Sequence, residues 1–332
     1  MEEEKKLYPV RFCTLQDDYF WGSEQFKLAD LGYRDSLVRD GWLAGNSISE
    51  LMDTYLDRVV GENVFDYFGR QFPICVRQLD VKGKMPLRVS PSDGFAVQRY
   101  DFLGKEKLWY VVRAGRDAGI MVGFKRDTDA SELYSKCCDN TAGELMNVIA
   151  PHPGQTIHIA PGVPHAAFGD IQILEIAESS PLDFCLCSWG QEVSEDEFDP
   201  ALNIVDALEF ISYQAYTGDR CADATKLVDL PQFSVSGIRL VSPLQIGKEH
   251  FDSIVIYSCV KGAASVQIKV LGRTADFNFA AGDTILVPAE CPDYSLVPME
   301  KDTLVLETLV PHIEDRDGYI NEEVPEKLEE EE

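Results

Sequence analysis

Five histidines and nine cysteines are the side chains of this 332-residue chain best suited to binding a metal or moving a proton. Of these, His165 is delivered by a recognisable device. It closes the segment Pro153-Gly-Gln-Thr-Ile-His-Ile-Ala-Pro-Gly-Val-Pro-His165, which matches Ala281-Gly-Asp-Thr-Ile-Leu-Val-Pro-Ala-Glu-Cys-Pro-Asp293 without a gap. Gly154 pairs with Gly282, Thr156 with Thr284, Ile157 with Ile285 and Pro164 with Pro292. The first copy ends on an imidazole and the second on a carboxylate, so if one copy serves a working pocket it is the first. A lone imidazole can ligate a metal or act as an acid–base group, or be a pocket histidine hydrogen-bonded to its neighbours. His158, on the strand before the turn, reads as structural, and His152, His250 and His312 have no partner that the sequence identifies. Cys137-Cys138 and Cys185-x-Cys187 lack the C-x-x-C spacing of a zinc ribbon or redox site. Most of the remaining thiols lie in apolar runs such as FPICV and IYSCV, where a reduced cysteine acts as a small hydrophobe.

Short β-branched and aromatic runs divided by Gly, Pro or Asp must position these groups: PICVRQLD, LWYVVRA, GIMVGF, QTIHIA and IQILEIA, then SIVIYSCV, ASVQIKVL, DTILVPA and TLVLETLV. Such spacing predicts antiparallel sandwiches or barrels. A glycine turn, a short alternating strand and a proline-bearing turn form the second half-motif of a cupin jelly roll, so two copies predict two such β-barrels. Three stretches have helical spacing: Ser47 to Val60 behind the cap Ser47, Asp129 to Val148 as two short helices, and Pro200 to Tyr216 with Leu202, Val205, Leu208, Phe210 and Ile211 mostly on one side.

A formal net charge of −27 and a pI near 4.5 oppose binding to a nucleic-acid backbone or an anionic membrane. Part of that charge lies between Glu322 and Glu332, which reads as a solvated end. The opening MEEEKKLYPV has no apolar leader, and no apolar run reaches the roughly 18 residues that would span a bilayer. A cytoplasmic protein is expected.

The order of segments in the first barrel resembles type I mannose-6-phosphate isomerases, zinc enzymes that interconvert mannose 6-phosphate and fructose 6-phosphate. The likeness runs through Phe20-Trp21-Gly22, Ser36 to Gly41, Leu43-Ala-Gly45, Phe72 to Arg77 and Val89 to Asp93. It continues through Gly104 to Tyr110, Val122-Gly-Phe124, Pro161 to Ala166, Glu175-Ile176 and Trp189-Gly190. It implies a mainly β chain of two cupin barrels: an N-terminal domain with helical segments over residues 1–218, a C-terminal domain over 219–315 and an acidic, disordered tail over 316–332. The segment from Pro200 to Tyr216 would link the barrels.

In that family a bound Zn²⁺ stabilises the enediolate oxygen as a Lewis acid. The resemblance implies ligands from a Q-V-H-P strand, a G-K-T-E segment and the histidine turn. Here these read Arg88-Val89-Ser90-Pro91, Gly104-Lys105-Glu106-Lys107 and His165, which leaves one imidazole between two cations where at least three good donors are needed. No metal or other cofactor is therefore expected, although zinc serves the family. A one-residue slip could bring Glu106 to the ligand position, but strand alternation argues against it. An arginine of the family corresponds to Cys185, a later histidine corresponds to Asn203, and the stretch after Trp21 is shortened.

Lys105 and Glu175 match residues used near the substrate, and with His165 they form the candidate catalytic set for proton transfer without a metal. Arg88, Lys107, Ser90 and Cys185 form the candidate ligand-binding set. Arg88, Lys105 and Lys107 could converge to hold a phosphate or carboxylate, or Arg88 and Lys107 could pair with carboxylates such as Glu175 and fill the cavity. The expected protein is an isomerase-like homologue without its zinc ligands, either inactive with a small phosphorylated sugar or other anion as partner, or an active isomerase with an atypical or metal-free site. The oligomeric state is open.

Overall fold

Gly154 and Gly282 adopt the same left-handed backbone, with φ of +85° and +90°, and each starts the same construction. The amide of Gly154 bonds to Val111 O and that of Val111 to Gln155 O, while Gly282 bonds to Cys259 O and Cys259 to Asp283 O. The strands that follow are Thr156–Ile159 and Thr284–Val287. The internal repeat is thus a repeat of structure.

The computed structural model describes residues 5–191, 204–218, 226–248, 252–270 and 273–311. Leu202, Asn203, His250, His312 and the acidic end lie outside the described residues. The described residues are mainly β and form four antiparallel sheets, two to each barrel. In the first barrel a six-stranded sheet has the order Leu15–Tyr19, Gly22–Leu28, Ile74–Val81, Ile171–Glu178, Lys107–Ala114, Thr156–Ile159. It faces a five-stranded sheet of Phe184–Cys187, Leu87–Val89, His165–Phe168, Gly119–Phe124 and Met146–Ile149. The second barrel pairs a six-stranded sheet, Val10–Arg11, Thr284–Val287, Val255–Lys261, Thr303–Leu309, Ser234–Leu240 and Lys226–Asp229, with a four-stranded one, Leu244–Ile246, Tyr294–Pro298, Ala263–Val270 and Arg273–Ala280. Val10–Arg11 precedes every strand of the first barrel yet pairs with Leu286 and Ile285, so this early strand joins the second barrel.

Alternation along the strands sorts the side chains. Trp109 and Val111 belong to the interior of the first barrel with Leu79, Val81 and Ile173, whereas Leu108 and Tyr110 between them turn outward. The outward set, with Ile74, Val76 and Ile176, packs on Ile256, Leu286 and Leu306 of the second barrel and on Ile48, Leu51 and Met52. The two barrels therefore share an apolar core along one sheet-to-sheet face.

The helical expectations need three corrections. Ser47 does cap a helix, in a capping box with Glu50, but Ile48–Tyr55 ends at Leu56, whose φ of +51° breaks the run before the short Asp57–Val60. Asp129 caps Ala130–Cys138 and a turn of 3-10 helix covers Ala142–Glu144, but Met146–Ile149 is a strand, drawn into the five-stranded sheet opposite Ile120 and Met121. Of the stretch from Pro200 to Tyr216, the described part is helical only over Ile204–Ala207. Beyond it the backbone amides of Ser212 and Tyr216 bond to Gly162 O, in the turn before His165, and to Phe124 O, at the end of its strand, in place of the i−4 partners that a helix would need. Two further helices, Glu62–Phe68 and Asp93–Tyr100, were not anticipated. No helix among the described residues is long and apolar enough to cross a membrane.

Candidate functional site

Inside the first barrel, four neighbouring strands bring charged side chains onto one inward face. Glu175 stands directly across from Arg77 on one side and from Trp109 on the other, Phe26 stands across from Arg77, and Lys107 faces Ala177. Cross-strand neighbours meet side by side, and these do. Arg77 Nε donates to Glu175 Oε1 at 2.5 Å and Trp109 Nε1 donates to Glu175 Oε2 at 2.7 Å. The guanidinium also reaches Glu24 Oε2 at 2.9 Å and Asp183 Oδ2 at 3.2 Å. Arg88, on the opposite sheet, donates to Glu24 Oε1 at 3.0 Å and has Asp183 Oδ2 at 3.9 Å.

His165 pairs in register with Arg88 and Val122 at the start of its strand. Its Nδ1 lies 2.9 Å from Val163 O and its Nε2 lies 2.9 Å from Lys107 Nζ. A carbonyl can only accept, so the network assigns the ring proton to Nδ1 and leaves the Nε2 lone pair to receive an ammonium hydrogen. The same ammonium donates to Asp183 Oδ1 at 2.8 Å, and Ser90 Oγ donates to that oxygen at 3.1 Å. Lys107 is fully buried, and His165, Glu175, Glu24 and Arg77 are nearly so.

The electrostatics follow from this packing. Burial alone would raise the Glu175 carboxyl, but Arg77 and Lys107 outweigh it and hold it down at about 2. Asp183 is likewise kept well below the usual carboxylate range, burial being overcome by Lys107, Lys105, Arg88 and Arg77. Burial and the adjacent Lys107 push His165 down to about 3, which keeps it neutral at ordinary pH. Lys107 is lowered to about 8, chiefly by burial, against the pull of Asp183 and Glu175.

Of the expected site residues, the structure brings Arg88, Lys107, Ser90 and His165 into one cluster, with Asp183 at its centre. Of the two arrangements open for Arg88 and Lys107, it presents the paired one, though the partners are Glu24 and Asp183 and not Glu175. Lys105 is buried and donates to Ser180 O at 2.8 Å, and it shares no hydrogen bond with Glu175, whose two oxygens are taken by Arg77 and Trp109. Cys185 lies across from Arg88, its thiol pushed up to about 11 by burial. Glu106 points away from the cluster and accepts from His158 Nε2 at 2.6 Å, so the unshifted register stands. In the second barrel, Asp293 is exposed and accepts the Lys248 amide at 2.8 Å. The interior behind it is filled by Val266, Ile285, Leu296 and the hydroxyl pair Tyr257–Tyr294.

At the positions where the resemblance implies zinc ligands stand a guanidinium, a hydroxyl that donates to Asp183, an ammonium and one imidazole whose Nε2 lone pair already receives that ammonium. Among the described residues no three His, Cys, Asp or Glu side chains are grouped so as to hold a metal ion.

Asp183, Glu24, Arg77 and Trp109 were missed as site residues. Arg77 carried a signal: it lies in PICVRQLD on the same strand face as Cys75 and Leu79, and an arginine on a buried face requires a carboxylate. Asp183, in the loop-like SSPLDF, carried none.

No family model matches the chain. Among curated proteins it is similar to "Mannose-6-phosphate isomerase ManA" of Bacillus subtilis, 21% identical over 87% of this chain and 95% of that protein. It is also similar to the "Putative mannose-6-phosphate isomerase YvyI" of the same organism, 24% identical over 84% of this chain and 85% of that one. Among solved structures the mannose 6-phosphate isomerase of Bacillus subtilis superposes with a TM-score of 0.77 at 18% identity, over 91% of this chain and 99% of the other. A putative mannosephosphate isomerase of Archaeoglobus fulgidus follows with a TM-score of 0.70 at 20% identity, over 92% and 98%. At these identities the structural likeness establishes the fold.

Proposed function

We propose that this chain is a divergent member of the type I mannose-6-phosphate isomerase family, with its domains divided near residue 218, in which an internal ion-pair network occupies the metal's place. On this reading it does not interconvert mannose 6-phosphate and fructose 6-phosphate. The observation that carries the proposal is Lys107 Nζ, 2.9 Å from His165 Nε2 and 2.8 Å from Asp183 Oδ1. A resident ammonium there competes with a dication for the same lone pairs. Glu175, held ionised between Arg77 and Trp109, is a poor proton acceptor because its basicity is low. The purified protein is expected to carry no stoichiometric zinc and to give no turnover in a coupled fructose 6-phosphate assay. One zinc per chain with chelator-sensitive turnover would overturn the proposal, and chelator-insensitive turnover would instead assign the reaction to Lys105, Glu175 and His165.

The same pairing bears on sugar-phosphate sensing. Arg88 and Lys107 already hold Glu24 and Asp183, so an arriving phosphate has to displace a buried carboxylate. Mannose 6-phosphate and fructose 6-phosphate are accordingly expected to leave the melting temperature unchanged. A saturable rise, lost in Arg88→Ala or Lys107→Ala, would restore the sensing role.

A further inference from the structure

The sheet face that joins the barrels is apolar along one stretch and polar along another. Where Leu28, Val76 and Ile176 meet Ile256 and Leu286 it is closed. Where the same strands present Gln25, Lys27, Gln78 and Gln172 it opens into a cavity of about 550 Å³. Across it, the second barrel contributes Ser258, Thr284 and Asp283. Polar side chains at a sheet-to-sheet contact cost free energy unless solvent or a ligand satisfies them. The volume is that of a small-molecule site, which typically spans about 300–1,000 Å³.

The polar groups are preset. Gln78 Nε2 and Gln172 Nε2 both donate to the carboxylate of Asp80 at 3.0 Å, which fixes the two amides and leaves both amide oxygens without a hydrogen bond among the described residues. Lys27 Nζ donates to Gln25 Oε1 at 2.9 Å, and the carboxylates of Asp283 and Asp80 act on it from farther away. Ser258 Oγ and Thr284 Oγ1 share a hydrogen bond of 3.0 Å on the opposite wall. Val112, Leu174 and Val260 supply apolar surface between these groups.

We propose that this cleft binds a neutral, polyhydroxylated small molecule of the carbohydrate class. Fixed amide oxygens and a carboxylate take hydrogens from a ligand's hydroxyls. Lys27 and the Ser258–Thr284 pair give hydrogens back, and the aliphatic patches cover C–H faces. An anion is disfavoured because the lining offers one lysine, on which the carboxylates of Asp80 and Asp283 act, Asp283 being shared with Arg39 at 3.8 Å, and because the chain as a whole carries −27. The site lies outside the first-barrel interior and does not depend on whether that interior is catalytic.

Ligand-observed saturation-transfer NMR with D-glucose, D-mannose, sucrose and trehalose tests this, since a saturable signal separates binding from the general stabilisation that sugars give as osmolytes. At least one of the four is expected to bind with a dissociation constant of about 1 mM, weakened at least about tenfold by Gln78→Met or, from the other barrel, Thr284→Val. Two variants on opposite walls keep the test valid if one fails to fold. No saturable signal from any of the four, or binding indifferent to both substitutions, would sink the assignment. Inorganic phosphate binding that is tighter than any of the sugars and lost in Lys27→Met would overturn the neutral-ligand class.

Discussion

Replacing Asp183 by alanine is expected to cost about 3–5 kcal/mol of stability, the range for removing one partner of a buried ion pair. This carboxylate touches Lys107 and Arg77, accepts from Ser90 and lies 3.9 Å from Arg88. Without it Lys107 keeps only a neutral imidazole as hydrogen-bond partner, and the cations of the cluster outnumber Glu24 and Glu175. Asp183→Asn should fall between alanine and wild type, because its amide oxygen still accepts from Lys107 or Ser90 but no longer neutralises charge. The exposed pair Lys82–Asp170 is the contrast, since solvent screens it and Lys82→Ala should lie within the scatter of the measurement. Urea midpoints of the three variants at neutral pH make the comparison. If Asp183→Ala unfolds no earlier than Lys82→Ala, the network is not what holds the barrel interior.

That centrality of Asp183 marks the boundary of what the sequence makes legible. Strands could be read because alternation and β-branching act locally, and the gapless repeat located both barrel turns and singled out His165. Parity along Lys105-Glu106-Lys107-Leu108 was legible for the same reason, and Glu106 does turn away to His158 while Lys107 points inward. Asp183 belongs to a segment without periodicity, and its importance comes from contacts with residues 76 and 106 positions away, which no local pattern encodes. The failed helix at Ser212 to Tyr216 has the same cause. Its apolar spacing suits a helix, but backbone partners at Gly162 and Phe124 compete for the chain and win.

A single strand, Ile74–Val81, serves both proposed sites, and the two-residue period explains how. Arg77 points into the first barrel and anchors the ion-pair network, while its neighbour Gln78 points outward and lines the cleft between the barrels. The interior of a cupin barrel is the usual place for a ligand; here it is occupied by side chains that satisfy one another, and the free polar surface lies on the other side of the same sheet. The two sites can therefore be tested separately, since substitutions at Gln78 leave the partners of Arg77 in place.

The network should also make the fold acid-sensitive in a particular window. His165 is held at about 3 against an ordinary value of 6.5, so between those limits the unfolded chain takes up a proton that the folded one refuses. That contribution is fully present above pH 6.5 and is lost as pH falls towards 3. Glu175, at about 2 against an ordinary 4.5, contributes stability that is complete above pH 4.5 and lost as pH falls towards 2, and Asp183 acts in the same sense. Glu178 acts in the opposite sense. Burial and the nearby Asp93 raise its carboxyl well above the usual range, so the folded state gains on the unfolded one as pH falls through that range to 4.5. Lys107 changes the balance only above about 8 and plays no part in this window. A tenfold difference in proton affinity between the folded and unfolded chain is worth about 1.4 kcal/mol, and between pH 6.5 and 4.5 Glu178 works against His165. The wild-type urea midpoint should fall less steeply there than below 4.5, where the carboxylates discharge and leave Arg77 and Arg88 buried without counter-charge. Glu178→Gln removes the opposing group, and its midpoint should fall more steeply than that of the wild type from pH 6.5 downwards. Parallel curves for the two proteins would show that Glu178 does not titrate in this window, and a Glu178→Gln midpoint that stays level between pH 6.5 and 4.5 would show that His165 is not held neutral by Lys107 and the barrel interior.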